Sequence, residues 1–252
     1  MTAQTQITFV GHGTILITHG EDRVIFDPML RKKLLWLNRR DEPVFDFHDL
    51  WQTQTIVITS PRFGRFDPHS FKFFKQKTTR VVLPVALENY SKRFFHFDTL
   101  PINQEQTISS GLLTLTALPR PHQSWRCFQR HNQAWHFIIQ TPVKTVFYAS
   151  DGGYDKKHFA DLASRHKIDV AIVPIDALQL NRFGQNLFLT PEDAAQAFSE
   201  VKARQVIPVH YGAFSCPNQK DPGALMRFQG ELDKLGLTEN ACLLKAGESL
   251  TL

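Results

Sequence analysis

The chain has 252 residues, 42% of them hydrophobic and 21% charged, with a formal net charge of +5. That length suits one large domain with a sizeable core. The excess of Lys and Arg favours anionic partners, but it is small and dispersed. No recognisable nucleic-acid module accompanies it, so nucleic acid is not an expected partner.

The cysteines, Cys127, Cys216 and Cys242, are odd in number and widely spaced, with no Cys-x-x-Cys pair. This is the pattern of a reduced protein, not of a disulfide scaffold. The N-terminus lacks a basic stretch followed by an apolar core, and no run approaches the roughly 18–20 apolar residues of a membrane span. A soluble, cytoplasmic protein is the expectation. No linker-like tract, low-complexity segment or repeat period interrupts the chain, so a single domain over residues 1–252 is expected.

In chain order, β-rich runs occupy residues 7–10, 14–18, 24–27 and 55–59. Asp67 then reads as the cap of a helix over 70–77, and strands follow at 81–84, 112–118, 136–140 and 145–149. Tyr154-Asp155 opens a helix running to Arg165, before a strand at 170–175. Thr190-Pro191-Glu192-Asp193 places an N-cap, a proline at the first helical position and acidic first-turn residues in sequence, the start of a helix to about Val201. A strand at 205–210 follows, and Asp221-Pro222 opens a last helix to about Leu235, closed by Gly236. Two strand clusters, each with helices, predict an α/β four-layer αββα sandwich. Its strand ends gather His12, Asp27, the loop from Ser60 to Asp67, His122, Asp151 and His210 into one cleft.

Several segments resemble the metallo-β-lactamase fold, in the branch with N-acylphosphatidylethanolamine phospholipase D and the ascorbate-phosphate lactonases. They are the opening run Phe9-Val10-Gly11-His12-Gly13-Thr14, the strand end Val24-Ile25-Phe26-Asp27-Pro28, and Ile56-Val57-Ile58-Thr59-Ser60. In that family a His-x-His-x-Asp-His loop follows the third of these strands and supplies much of a two-zinc site. Here its ligand positions fall on Ser60, Arg62, Gly64 and Arg65. A glycine has no donor, a guanidinium is a permanent cation without a lone pair, and a serine hydroxyl is a poor zinc ligand. Other family motifs are kept. Pro119-Arg120-Pro121-His122 resembles the segment of the third histidine, Ser150-Asp151-Gly152-Gly153-Tyr154 the turn of the bridging aspartate, and Val209-His210-Tyr211-Gly212 the strand end of the last histidine. Where the family has a further, substrate-facing histidine, this chain has Phe188.

Two functional readings follow. In the first, the chain is a degenerate member that has lost the dinuclear zinc site and has no cofactor. Arg62 and Arg65 replace the metal charge beside Asp151, and with Arg120, Arg126, His12 and Asp27 they form a cleft for a phosphate or carboxylate small molecule. In the alternative, the chain is a hydrolase of phosphodiester or lactone bonds with one zinc, manganese or iron ion on His122, Asp151 and His210, which are then the catalytic residues. The plainer readings are an ion pair filling a vacated site for Arg62 and Arg65, and simple turns for His12 and for Asp27-Pro28. The stretch bounded by Lys32 and Arg40, apolar between basic clusters, is a candidate lid or peripheral membrane contact.

Overall fold

The computed structural model describes residues 3–34, 37–62, 64–75, 77–94, 96–120, 134–175, 189–214 and 223–252. His122, Arg126, Phe188, Cys127, Cys216, Asp221 and Pro222 lie outside the described residues, as do Leu35 and Trp36.

The first half runs β1 (Thr5–Gly11), β2 (Thr14–His19), β3 (Asp22–Phe26), the hairpin β4 (Lys33–Leu34) and β5 (Leu37–Asn38), α1 (Phe47–Trp51), β6 (Thr55–Val57), β7 (Arg80–Pro84), α2 (Glu88–Phe94) and β8 (Asp98–Ile102). The second half runs β9 (Thr107–Ser110), β10 (Leu113–Leu118), β11 (His136–Gln140), β12 (Thr145–Tyr148), α3 (Lys156–Arg165), β13 (Val170–Pro174), α4 (Pro191–Val201), β14 (Gln205–Val209), α5 (Ala224–Lys234) and β15 (Ser249–Thr251). Among the described residues these strands make one sheet in the order β15-β1-β2-β3-β6-β7-β8 and another in the order β14-β13-β12-β11-β10-β9. In the first, β1 to β3 pair antiparallel and β3, β6, β7 and β8 parallel. In the second, β9 to β12 pair antiparallel and β12 to β14 parallel.

Side-chain alternation builds the layers. In β3, Val24 and Phe26 join the core between the sheets while Ile25 faces the outer layer of α1 and a 3₁₀ turn at Pro68–Phe73. In β12, Tyr148 points between the sheets and Phe147 points outward to Phe159 of α3 and Phe198 of α4. Both faces of the parallel strands are therefore covered, and Val-Ala-Ile-Val-Pro of β13 is buried throughout. The expected four layers are present.

The differences from the sequence reading have local causes. Asp67 does cap a helical turn, accepting from the His69 amide, but the turn is short and 3₁₀, not a helix to residue 77. Its Asp67 carboxylate also pairs with Arg31 at 2.9 Å, so the cap is tied to the body of the fold. Strands β8 and β9 were not expected: Asp-Thr-Leu-Pro-Ile and Thr-Ile-Ser-Ser alternate too weakly to be read alone. β15 gains its place only by pairing with β1.

Candidate functional site

Strand ends deliver the site. His12 follows β1, Asp27 follows β3, the loop 60–67 follows β6, Arg120 follows β10, Asp151 follows β12 and His210 follows β14. Three of these residues, His12, Asp27 and His210, have φ of 59°, 43° and 64°, a left-handed backbone that costs non-glycine residues of order 1–3 kcal/mol each. Such outliers cluster where surrounding contacts over-determine the backbone. Here the His210 amide donates to the His12 carbonyl at 2.8 Å, and their imidazoles meet edge to face at 4.3 Å.

The centre of the site is Arg65. Gly64 takes φ 91°, and the Arg65 and Phe66 amides both donate to the Arg62 carbonyl, a turn that swings the Arg65 side chain inward. Its Nε donates to Asp151 Oδ1 at 2.6 Å and its Nη1 to Asp27 Oδ2 at 2.9 Å. The Arg65 side chain is 2% exposed and the two carboxylates 0% and 3%, so this is a buried Asp–Arg–Asp triad. Arg62 reaches Asp151 Oδ2 at the longer distance of 3.8 Å and remains partly exposed.

Hydrogen bonds extend the triad beneath both sheets. Thr59 donates to Asp27 from its amide and its hydroxyl, each at 2.7 Å. Ser150 Oγ donates to Thr59 Oγ1 at 2.9 Å, and the Ser150 amide donates to His136 Nδ1 at 2.9 Å. Because that nitrogen accepts, neutral His136 carries its proton on Nε2. Tyr148 donates to the Gly13 carbonyl at 2.8 Å and stands 3.2 Å from Asp27 Oδ2.

The electrostatics follow from burial against this one cation. For Asp151, burial pushes the carboxyl up, but Arg65 and then Arg62 overcome it and hold the group below its usual range. For Asp27, burial prevails over Arg65 and Thr59, and the carboxyl is raised. Burial also drives His210 and His136 well below the usual histidine value and His12 to about 3, so all three imidazoles are neutral. Arg120 falls to about 10, through burial first and the like charge of Arg62 second.

A family model described as the beta-lactamase superfamily domain matches residues 23–211. The chain belongs to that superfamily. Similar curated proteins are the UPF0173 metal-dependent hydrolases of Rubrobacter xylanophilus, 24% identical with 99% of this chain and 98% of that protein covered, and of Pyrococcus abyssi, 24% identical with 98% and 99% covered. Among solved structures, a possible metal-dependent hydrolase from Veillonella parvula superposes with a TM-score of 0.78 at 15% identity over 100% of both chains. An isothiocyanate hydrolase from Delia radicum gut bacteria gives 0.78 at 14% identity, over 97% of this chain and 98% of that one. These structural likenesses are statements about the fold.

A beta-lactamase superfamily centre with two metals does not fit these residues. The guanidinium of Arg65 occupies Asp151 Oδ1, and Ser60, Arg62 and Gly64 offer no replacement donors. No cluster of three or more His, Cys, Asp or Glu with metal-holding geometry occurs among the described residues. Among the buried atoms at the site, Asp151 Oδ2, His210 Nε2 and His12 Nδ1 nonetheless make no hydrogen bond.

The structure brings together Arg62, Arg65, Asp27, Asp151 and, by mutual electrostatic influence, Arg120. His12 and His210 border the same group, and His12 is a buried partner of His210 as well as a turn residue. Asp27 likewise does more than terminate a strand, since it accepts from Thr59 and Arg65. Sequence reasoning passed over Tyr148, Thr59, Ser150 and His136. For Tyr148 a signal existed: alternation in β12 puts it on the inner face, the one that meets the first sheet. For the others only the tertiary hydrogen bonds mark them.

Proposed function

We propose that the protein binds an anionic small molecule, a phosphate or carboxylate, in a beta-lactamase superfamily cleft where arginine stands in place of metal charge. The observation that supports this most is the presence of two further guanidinium groups, Arg62 and Arg120, close to each other and to the Asp151 already held by Arg65. With both carboxylates ionised the triad carries one net negative charge, so the attraction for an anion comes from Arg62 and Arg120. Arg62 lowers Arg120, which means the two cations repel, and an oxyanion between them relieves that repulsion through charge-assisted bonds. His12 and His210, being neutral, add hydrogen-bonding atoms without further charge.

The test is thermal melting with inorganic phosphate and with acetate, alongside elemental mass spectrometry after incubation with zinc, manganese and iron salts. The reading expects a rise in Tm with one of the anions, lost in Arg62→Ala/Arg120→Ala, and no retained metal. No anion response from a folded protein rules it out.

The second reading is a hydrolase of phosphodiester or lactone bonds with one zinc, manganese or iron ion on His122, Asp151 and His210. The relatives' names favour it over the first, since full-length similar proteins are called metal-dependent hydrolases. The absence of a hydrogen bond at Asp151 Oδ2 and at His210 Nε2 is also compatible with it. A bound metal would act there as a Lewis acid and lower the pKa of a coordinated water. The cation of Arg65 opposes it: unit charges 4 Å apart repel by about 4 kcal/mol at an effective dielectric of 20, and a divalent ion is repelled more. About one metal per chain, lost in His122→Ala together with phosphodiesterase turnover, establishes this reading instead.

A further inference from the structure

Away from the cleft, on the outer layer of the first sheet, large apolar side chains stand in solvent. Val44 is 50% exposed, Phe47 50% and Trp51 48%. Phe47 and Trp51 belong to one surface. Phe47 contacts Phe45, Phe73 and Trp51 with ring centroids 5.4, 6.1 and 6.1 Å apart. Its rim is basic: Lys72 Nζ lies 5.2 Å from the Phe73 ring and Lys75 Nζ 5.4 Å from the Trp51 ring. Both lysines are exposed, and neither meets a carboxylate among the described residues. Of the acidic residues on the neighbouring helix, Asp49 is neutralised by Arg23 at 3.2 Å, while the exposed Asp46 caps the helix by accepting from the His48 amide and leaves one negative charge against the two lysines.

We infer that the surface of Phe47, Trp51 and Phe73, rimmed by Lys72 and Lys75, docks the protein onto an anionic lipid surface. Two half-exposed rings offer on the order of 200 Å², against about 800 Å² per partner for a stable protein interface. That is too little for a second copy of this chain. It suffices for shallow insertion of aromatic rings at the headgroup boundary, where lysine ammonium groups add attraction to anionic lipid. The aromatic and cationic groups are interleaved at contact distance, which matches a boundary that is apolar below and negative above.

The stretch bounded by Lys32 and Arg40 is a weaker carrier of such contact. Its Arg39 turns inward, donating to the Met29 carbonyl at 2.6 Å and lying over the Phe214 ring, and Lys32 pairs with Glu42 at 2.7 Å.

Co-sedimentation of the whole protein with vesicles tests the inference, using phosphatidylcholine alone and phosphatidylcholine mixed with phosphatidylserine. Binding is expected to the mixed vesicles, to weaken as salt is raised, and to be slight on phosphatidylcholine. Phe47→Ser and Trp51→Ser are each expected to lower the partition about tenfold, and Lys72→Glu and Lys75→Glu at least about fivefold each. Circular dichroism controls for folding of these surface variants. No sedimentation with either vesicle, or full binding by a folded Phe47→Ser/Trp51→Ser variant, overturns the inference. So does a dimer seen by light scattering that these substitutions dissolve while vesicle binding is absent.

Discussion

A single guanidinium between two buried carboxylates makes Arg65 the residue on which the site depends. Its removal leaves Asp27 buried without a counter-charge and Asp151 with only the more distant Arg62, so Arg65→Ala is expected to cost about 3–5 kcal/mol in urea unfolding. Arg62 looks equivalent in sequence, but it is partly exposed and 3.8 Å from its partner. Arg62→Ala should therefore cost no more than about 1 kcal/mol. Equal losses for the two would refute the triad as the stabilising unit. Gly13 is the other decisive single position. A Cβ there would run into the His210 imidazole, so Gly13→Ala is expected to displace that ring and to abolish any anion-induced rise in Tm. Retention of the full rise would show that His210 does not face the ligand.

At the scale of elements, strand ends carry the chemistry and helix starts hold the outer layers. In α4, Thr190 Oγ1 accepts from the Asp193 amide at 3.1 Å and Asp193 Oδ2 accepts from the Thr190 amide at 3.3 Å, a reciprocal capping box. This was legible from Thr-Pro-Glu-Asp, because capping is a local matter of donors and acceptors three residues apart. Thr190→Ala is expected to cost about 1 kcal/mol, or about 2–4 °C in Tm for a chain of this size. A melt unchanged by that substitution would mean the helix is held by packing alone. The loop 60–67 behaves differently. Its turn depends on Gly64 at φ 91°, but where the turn points Arg65 is set by carboxylates from two other strand ends.

Across the whole molecule, burial of neutral histidines gives the fold a pH dependence. His12, His136 and His210 have folded pKa values lowered from 6.5 chiefly by burial, so the unfolded chain binds more protons than the folded one below that pH. Stability is fully present above about 6.5 and falls with acid, by up to about 1.4 kcal/mol per pH unit for each such histidine. For His12 the loss ends near pH 3. Asp151, also lowered, loses its contribution only as pH falls below the ordinary carboxylate range, whereas Asp27, raised, gains stability on protonation and offsets it in part. Urea midpoints measured from pH 7.5 to 4.5 should therefore decline from about 6.5 downward, less steeply in His12→Gln. A flat profile over that range would show that these imidazoles are not buried neutral in solution.

Sequence alone determined the layer architecture, the chief strand ends and the starts of α3 and α4, because hydrophobic period, caps and turn residues are local. It also determined that Ser60, Arg62, Gly64 and Arg65 stand where the resemblance implies metal ligands, since a side chain's donor atoms are fixed by its identity. Tertiary structure alone decided that Arg65 is the buried member and Arg62 the outer one, because burial depends on which strand ends meet. It decided too that Asp27 belongs to the triad, that Tyr148, Thr59 and Ser150 support it, and that His12 packs on His210. Those contacts join residues far apart in the chain, and no local pattern encodes a distance between the ends of separate strands.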